Sequence, residues 1–547
     1  MSQRSTHLPH HIATWVALAV ILILAFTVRI YHIETAPAGL YPDEAANGVD
    51  ALHALESKDF KLFYPANFGR EGLFINLQAF SIAIFGNTVT GLKLWSILFG
   101  TFSVLGIYLL GKELFHRRIV GILAAFMLAT SYWAINFSRI GFRAIMTTFL
   151  LSFSFYFFFR GLRTRKFHDF IFSGLLFGLG LHTYIAFRVA PLILIILLPA
   201  LILSYENFLR RFWKHAALFF LAALIAAMPM LYHFFVLHPE DFASRSSHIS
   251  VFSAEANHGD PFGTLAKTFS LSLIKYNFFG DQNFRHNYPP YPILDPFVGT
   301  FFLAGFLFVI SQTIILLGRR IRRGDRDTRL ITDFFLLGSF FVMLMPEFLT
   351  NESLPHALRS IGTQAPVFLM AALPAFWIIR KALRAQTGAR VALFSLLIVA
   401  LLGSAVFNLT KYFVFFTHNE SAAASFNENY TNMARYLISL PKETYKYVLI
   451  DEKGNNNLST LPVFAHPVYF LTYHKVDRLE IVQKDTVLHR PGIFLMLNYN
   501  DVLTGQIQKL YPEAYVEHID MNGPERTGGD FNVVVLPKLK DNFLLPE

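Results

Sequence analysis

Two adjacent acids, Asp43 and Glu44, follow the first apolar stretch of the chain. Because Pro42 favours a helix start, one interpretation is that Asp43 caps a helix and Glu44 favours its first turn. The other is that a carboxylate here serves as a general base facing a cavity at the membrane surface. The two interpretations are compatible, since a capping carboxylate can also reach a substrate.

Arginine is the second residue type whose placement indicates chemistry. The guanidinium group binds phosphate well, because its planar fork donates two parallel hydrogen bonds. An alternative role for such an arginine is snorkelling to lipid headgroups. Five arginines lie in segments that we predict to be extracytoplasmic: Arg70, Arg139, Arg143, Arg188 and Arg359. Several of these loops are short, which favours a shared anion site.

Histidines are also present in the predicted outer segments. None has the spacing of a known metal motif, so we interpret them as surface or hydrogen-bonded side chains and predict no metal site from them. The sequence requires no cofactor, although a divalent metal near Asp43 or Glu44 stays open. These histidines are His53, His182, His238, His258, His286 and His356.

The composition excludes several protein classes. Of the 547 residues, 54% are hydrophobic, 15% are charged and 60 are Phe. This apolar excess argues against a disordered chain and against an ordinary soluble enzyme. The sequence has no Cys, which removes disulfides, thiolate metal sites and cysteine nucleophiles. Residues 1–412 hold 35 Lys and Arg against 21 Asp and Glu. This positive charge suits basic cytoplasmic loops, so no nucleic-acid partner is needed.

About 11 segments are long and apolar enough to cross a bilayer, which requires about 20 residues each. The pair 169–186 and 189–204 is short and closely joined, so one of the two can be re-entrant. The predicted spans are 12–30, 89–110, 119–137, 144–160, 169–186, 189–204, 214–236, 297–317, 331–348, 362–380 and 391–411.

The distribution of Lys and Arg predicts the orientation. With a cytoplasmic N-terminus, six cytoplasmic segments contain 21 basic residues, whereas the three short outer loops contain four. An odd number of spans then places the C-terminal segment outside. We therefore expect an integral membrane protein with an extracytoplasmic C-terminal domain.

The predicted architecture is an α-helical polytopic membrane module at 1–412, followed by a soluble α/β domain at 413–547. Two long outer loops belong to the module, at 31–88 and 237–296. Apolar residues at helical spacing predict two surface helices in the first loop. In the tail, 447–450 and 492–497 read as buried strands, and 429–440 and 501–510 read as helices.

Several motifs resemble a known family. The motifs are Tyr41-Pro42-Asp43-Glu44-Ala45, Gly69-Arg70-Glu71-Gly72-Leu73-Phe74, Ser138-Arg139-Ile140-Gly141-Phe142-Arg143, His182-Thr183-Tyr184-Ile185-Ala186-Phe187-Arg188 and Pro355-His356-Ala357-Leu358-Arg359-Ser360-Ile361-Gly362. Together they resemble the GT-C fold glycosyltransferases that use polyprenyl-phosphate sugars. The most similar branch contains protein O-mannosyltransferases and lipid A aminoarabinose transferases.

The resemblance implies an inverting transfer of a sugar from a polyprenyl-phosphate donor to a hydroxyl of a lipid, glycan or protein. Asp43 would be the base, with Glu44 beside it as a second catalytic residue. The arginines at 70, 139, 143, 188 and 359 would bind the donor phosphate. Glu71, His182, Tyr184 and His356 would line the substrate cavity. The expected location is the plasma membrane of a bacterium or archaeon.

Other functions remain open at this stage. A transporter or flippase of lipid-linked sugars would share the spans, the outer arginines and the lipid substrate. It would also need polar groups through the middle of the bundle, whereas the polar residues here cluster at one face. A ligase moving a whole glycan and a non-catalytic scaffold presenting the tail are further alternatives.

Overall fold

The structure is a computed structural model, and it describes residues 10–67, 69–243, 250–450, 461–482, 487–488, 490–497, 501–521, 529–536 and 543–544. By internal packing the chain forms two compact units. Unit 1 comprises 1–31 and 96–412, and unit 2 comprises 32–95 and 413–547. The loop 31–88, which the sequence predicts to belong to the membrane module, thus falls almost entirely in one unit with the C-terminal segment.

Unit 1 is built of long apolar helices. Among the described residues, nine helices are long and apolar enough to cross a membrane, or ten if a bent pair forms one span. The polytopic helical fold is confirmed. The helices contributing to unit 1 are His10–Ile30, Val89–Phe115, Arg118–Thr130, Tyr132–Arg139, Ile145–Thr164, Phe167–Leu179, Pro191–Ser204, Phe208–Tyr232, Pro239–Ala243, Ala254–Asn257, Pro261–Ile274, Pro296–Arg323, Arg329–Phe348, Gln364–Ala382 and Thr387–Thr410.

The sequence predicts about 11 spans, and the described residues contain nine or ten helices of that length and composition. The predicted span 169–186 is a helix of only 13 residues, Phe167–Leu179, which gives way to a 3-10 turn at Gly180–His182. The predicted span 119–137 is interrupted at Ser131, where two shorter helices meet at 58°. Hydropathy detects apolar composition but not where a helix ends. It therefore predicts one full-length span where the chain forms shorter or interrupted helices.

The short Phe167–Leu179 helix packs closely against Phe208–Tyr232 through two glycines. A Cβ atom at Gly174 would lie 2.2 Å from the carbonyl oxygen of Phe219, and one at Gly178 would lie 2.2 Å from that of Ala223. Glycines spaced by four residues place both close contacts on one helix face, as in many packed membrane helices. A larger residue at either position would force the two backbones apart.

Unit 2 combines two helices from the first long loop with the C-terminal segment. The predicted surface helices are present as Pro42–Ser57 and Gly72–Phe85, joined by a two-stranded hairpin of Phe63–Tyr64 and Arg70–Glu71. Their apolar faces are buried in a shared core with Phe470 and Leu471. The helices from the C-terminal segment are Glu420–Ser425, Glu428–Ser439, His466–Thr472 and Asp501–Leu510.

A five-stranded mixed sheet forms the centre of the C-terminal segment. The strands lie in the order Leu479–Val482, Tyr445–Leu449, Gly492–Met496, Phe531–Leu536 and Tyr515–Ile519. The first three are parallel, and the last two pair in an antiparallel manner. A further short pair joins Val487–Leu488 to Phe543–Leu544. The predicted small α/β domain is therefore confirmed.

Candidate functional site

The two adjacent acids occupy different environments. The helix begins at Pro42 with Tyr41 as its N-cap residue, so Asp43 lies in the first turn and is not the predicted cap. Glu44 Oε1 accepts the Tyr41 N–H at 2.9 Å and lies 3.4 Å from Lys93 Nζ, with both side chains fully buried. Asp43 is partly exposed. Glu44 therefore stabilises the helix start, while Asp43 is the carboxylate that water or a substrate can reach.

Arg70 is held by the same helix. Its guanidinium forms an ion pair with Asp50, donates to Asn47 Oδ1 at 2.8 Å and donates to the Ala66 carbonyl at 3.2 Å. Glu71 is buried and is the N-cap residue of the Gly72–Phe85 helix. These contacts fix the turn between the two surface helices, so in unit 2 both residues have a clear structural role.

Arg139 lies at the end of the second half of the bent helix pair and is fully buried. It donates to the carbonyl oxygens of Val28 at 2.8 Å and Tyr31 at 2.6 Å, and to the Tyr412 hydroxyl at 3.2 Å. The Val28 and Tyr31 carbonyls belong to the C-terminal end of the first helix, where unsatisfied carbonyl groups attract a cation. Arg139 thus ties the first helix to the bent pair.

Arg188 and Arg359 line one pocket of about 470 Å³. Arg188 donates to the Phe242 carbonyl at 2.6 Å and lies over the rings of Phe234 and Phe242 at 4.5 and 4.9 Å. Arg359 donates to Thr350 Oγ1 at 2.6 Å and forms an ion pair with Glu352.

Apolar residues make up most of that pocket. Its lining includes Ile185, Val189, Phe252, Met345, Pro346 and Leu349. Two guanidinium groups in a mostly apolar pocket suit a ligand that joins an anion to a hydrocarbon chain.

Tyr184 and His182, two further predicted residues, lie a few positions before Arg188 in the chain. Only Tyr184 is among the residues that line the pocket. The Arg143 guanidinium lies 5.6 Å from the Tyr184 ring centre. The His182 ring contacts the Ala226 carbonyl at 2.9 Å and is buried against the Phe208–Tyr232 helix. Tyr184 therefore links Arg143 to the pocket, whereas His182 has a helix-packing contact.

His356 belongs to a buried cluster that sequence reasoning missed. One ligand atom from each of Asp281, His286 and His356 lies within 4.8 Å of the other two. The three residues are 1%, 5% and 8% exposed. The separation of 70 positions from His286 to His356 hides this grouping in the sequence; the local signal is the spacing of five between Asp281 and His286. These donor types could hold a divalent metal ion.

A buried ion pair of Lys275 and Glu347 lies next to this cluster. Both side chains are fully buried, and Glu347 Oε1 also accepts the His356 N–H at 2.9 Å. Burial lowers the pKa of Lys275, while the Glu347 carboxylate acts in the opposite direction. Glu347 thus connects the end of the Arg329–Phe348 helix to the segment that carries His356 and Arg359.

Comparison with known proteins gives a family match and a fold match. Residues 73–233 match the family described as dolichyl-phosphate-mannose-protein mannosyltransferase. The structure resembles that of ArnT from Cupriavidus metallidurans bound to undecaprenyl phosphate, with 11% identity and a TM-score of 0.50. The match covers 96% of this chain and 98% of that chain. No curated protein sequence matches the chain.

Two further solved structures show lower scores. ArnT from Cupriavidus metallidurans in the apo state is 12% identical, with 96% and 98% of the chains covered and a TM-score of 0.49. The arabinofuranosyltransferase AftD from Mycobacteria is 14% identical, with 98% of this chain and 40% of that chain covered and a TM-score of 0.48. The predicted resemblance is therefore confirmed by the first two findings: the chain has the GT-C fold, and its residues 73–233 match the dolichyl-phosphate-mannose-protein mannosyltransferase family.

Proposed function

We propose that the protein is an integral-membrane glycosyltransferase that moves a sugar from a polyprenyl-phosphate donor to an acceptor hydroxyl. The observation that carries the proposal is the mostly apolar pocket with Arg188 and Arg359 in its lining. The family match over residues 73–233 supports the reaction class. The undecaprenyl phosphate named for the ArnT structure supports the donor class.

The pocket residues suggest how the donor is held. The prenyl chain would lie along the apolar side chains, and the phosphate would accept hydrogen bonds from Arg188 and Arg359. As the bond between sugar C1 and the phosphate oxygen breaks, negative charge grows on the departing phosphate. Arginines that bind this charge more tightly in the transition state lower the barrier. Arg143 is the next candidate because it stacks near Tyr184. Arg70 and Arg139, with their internal partners, remain weaker candidates.

Asp43 is the proposed general base. The acceptor oxygen attacks C1, its proton passes to the Asp43 carboxylate, and polyprenyl phosphate leaves, which inverts the anomeric centre. Asp43 is favoured over Glu44 because Glu44 is buried against Lys93 and the Tyr41 N–H. A fully buried carboxylate in an ion pair is less accessible to an acceptor hydroxyl than a partly exposed one. Glu44 would then support Asp43 by fixing the helix start.

The proposed setting is the extracytoplasmic face of the plasma membrane of a bacterium or archaeon. The assignment to the extracytoplasmic face rests on the excess of Lys and Arg in the alternate segments between spans. The acceptor is a hydroxyl of a lipid, glycan or protein. Glu71, His182 and His356 would affect the substrate cavity through the turns and helices that they stabilise.

The test is the Asp43→Asn variant, assayed in membranes with a radiolabelled lipid-linked sugar. We expect transfer to fall by about 100-fold or more, as for a lost general base, while donor binding is retained. Asp59→Asn is the matched control, since Asp59 is an exposed acid in the same unit. Near-normal transfer by Asp43→Asn would remove Asp43 from this role. Movement of the donor across vesicles without sugar transfer would instead favour a flippase.

A further inference from the structure

We propose that Asp281, His286 and His356 bind a zinc ion that joins two segments of unit 1. Asp281 and His286 lie in the segment between the Pro261–Ile274 and Pro296–Arg323 helices. His356 lies in the segment after Arg329–Phe348. The inference does not depend on the proposed transfer reaction.

The donor set suits zinc. Zinc binds imidazole nitrogen and carboxylate oxygen at about 2.0–2.2 Å, and a tetrahedral site then separates its ligand atoms by roughly 3.3 Å. His286 Nδ1 and Asp281 Oδ2 are already 3.0 Å apart, and the His286 and His356 ring centres are 4.4 Å apart. Small side-chain rotations therefore bring all three donors to bonding distance of one ion. A water molecule would complete the coordination.

Hydrogen bonds to the backbone hold the ligands in place. Asp281 Oδ2 accepts the Ala357 N–H at 2.7 Å, and Asp281 Oδ1 accepts the Asn283 N–H at 2.9 Å. The His356 N–H donates to Glu347. Metal-binding residues in proteins are usually oriented by such outer contacts, which fix the ligand geometry before the ion binds. The cluster therefore has both the ligands and the supporting bonds of a metal site.

The local charge also favours a cation. Asp281 is 1% exposed, and a buried carboxylate is costly without a positive partner. The nearby buried cation, Lys275, forms its ion pair with Glu347. A zinc ion would neutralise Asp281 while leaving both histidines neutral. The alternative is a protonated His286 that pairs with Asp281 without metal, and a measurement of bound zinc separates the two.

The experiment measures metal in the full-length protein, purified without a histidine tag. We expect about one zinc per chain by mass spectrometry, and a lower melting temperature after removal by a chelator that zinc alone restores. Cobalt loaded in place of zinc should give the visible absorption of a tetrahedral site. Asp281→Asn and His356→Ala should each lose the bound zinc, whereas His258→Ala, at an exposed histidine, should retain it.

Two results would overturn the proposal. One is a wild-type protein with no stoichiometric metal whose melting temperature responds neither to the chelator nor to zinc. The other is retention of zinc by both ligand variants. If the ligand variants do not fold, the cobalt spectrum and the chelator response of the wild-type protein still decide the question.

Discussion

Two pockets lie at opposite ends of the Arg329–Phe348 helix, and arginines line both. We call the pocket lined by Arg188 and Arg359 the Arg188 pocket. Its lining includes Met345 and Pro346 from the last turn of the helix, and Leu349, which follows the helix. The second pocket, of about 520 Å³, contains Arg329 and Asp333 from the other end, and we call it the Glu113 pocket.

The arginines of the two pockets have different neighbours. In the Glu113 pocket, Arg163 pairs with Glu113, which lines the same pocket, and Arg329 pairs with Asp327. In the Arg188 pocket, Arg188 contacts a carbonyl oxygen and two ring faces, whereas Arg359 pairs with Glu352. Carbonyl oxygens and ring faces help to position the Arg188 guanidinium at its pocket, whereas a carboxylate holds each of the two arginines named at the Glu113 pocket. Pocket size and arginine content therefore do not by themselves identify an anion site; the neighbours of the arginines decide.

The largest expected effect concerns the buried ion pair of Lys275 and Glu347. Glu347 lies at the end of the Arg329–Phe348 helix that borders the Arg188 pocket. Lys275→Met should lower the free energy of unfolding by about 3–5 kcal/mol, because it leaves a buried carboxylate without its partner. The measurement is unfolding of the purified protein in detergent. Lys267→Met, at an exposed lysine of the preceding helix, is the control and should change little. Equal stability of the two variants would contradict the role of the pair.

The next prediction addresses the Arg188 pocket itself. Arg188→Ala and Arg359→Ala should each raise the KM for the lipid-linked sugar by about 10- to 100-fold, the value of a charge-assisted hydrogen bond. Arg188→Lys keeps the charge but loses the planar fork, so its loss should be intermediate. Steady-state kinetics with varied donor measure this. Unchanged kinetics for both alanine variants would remove the pocket from donor binding.

A smaller effect is expected in the Glu113 pocket. Arg163→Ala should leave the donor KM unchanged and lower the free energy of unfolding by about 1 kcal/mol, because the arginine is half exposed and screened by water. The same kinetic assay and the same unfolding measurement apply. A KM increase as large as that of Arg359→Ala would break the distinction between the two pockets.

The smallest effect should depend on pH. Hydrogen bonding to Arg329 lowers the pKa of Asp327, so the pair stabilises the protein above the ordinary Asp pKa of about 4. That contribution is lost as the pH falls through the lowered pKa of the folded state. Asp327→Asn should therefore lower the free energy of unfolding near neutral pH by less than about 1 kcal/mol. Its melting temperature should lie slightly below that of the wild type. The two curves should converge in acid; a gap that widens there would contradict this sign.

Local patterns predicted much of the fold. Pro42 predicts the helix that begins there, because proline fixes φ at a value that suits the first helical position. A run of apolar residues predicts the strand near Val448. The bend at Ser131 and the early end of the helix at Leu179 were not predicted. Both depend on packing against other helices, which a hydropathy pattern does not contain. The cap at Tyr41 was missed because it uses the Glu44 side chain instead of Asp43.

The candidate site was less accessible to sequence reasoning. Outer-loop placement selected Arg188 and Arg359, which do line one pocket, but the same reasoning selected Arg139, whose hydrogen bonds go to the Val28 and Tyr31 carbonyls. A sequence does not show whether a guanidinium meets a carbonyl group or a pocket. Asp281 was missed altogether, since its neighbours depend on two distant segments meeting.

The short Phe167–Leu179 helix has a consequence for the surrounding lipid. Its 13 residues extend about 20 Å, whereas the hydrocarbon layer of a typical bilayer is about 30 Å thick. The shortfall must be met by local thinning of the bilayer or by neighbouring protein. On the side of Gly174 and Gly178 the Phe208–Tyr232 helix supplies that protein, so a helix too short to cross the bilayer alone is supported by a longer neighbour.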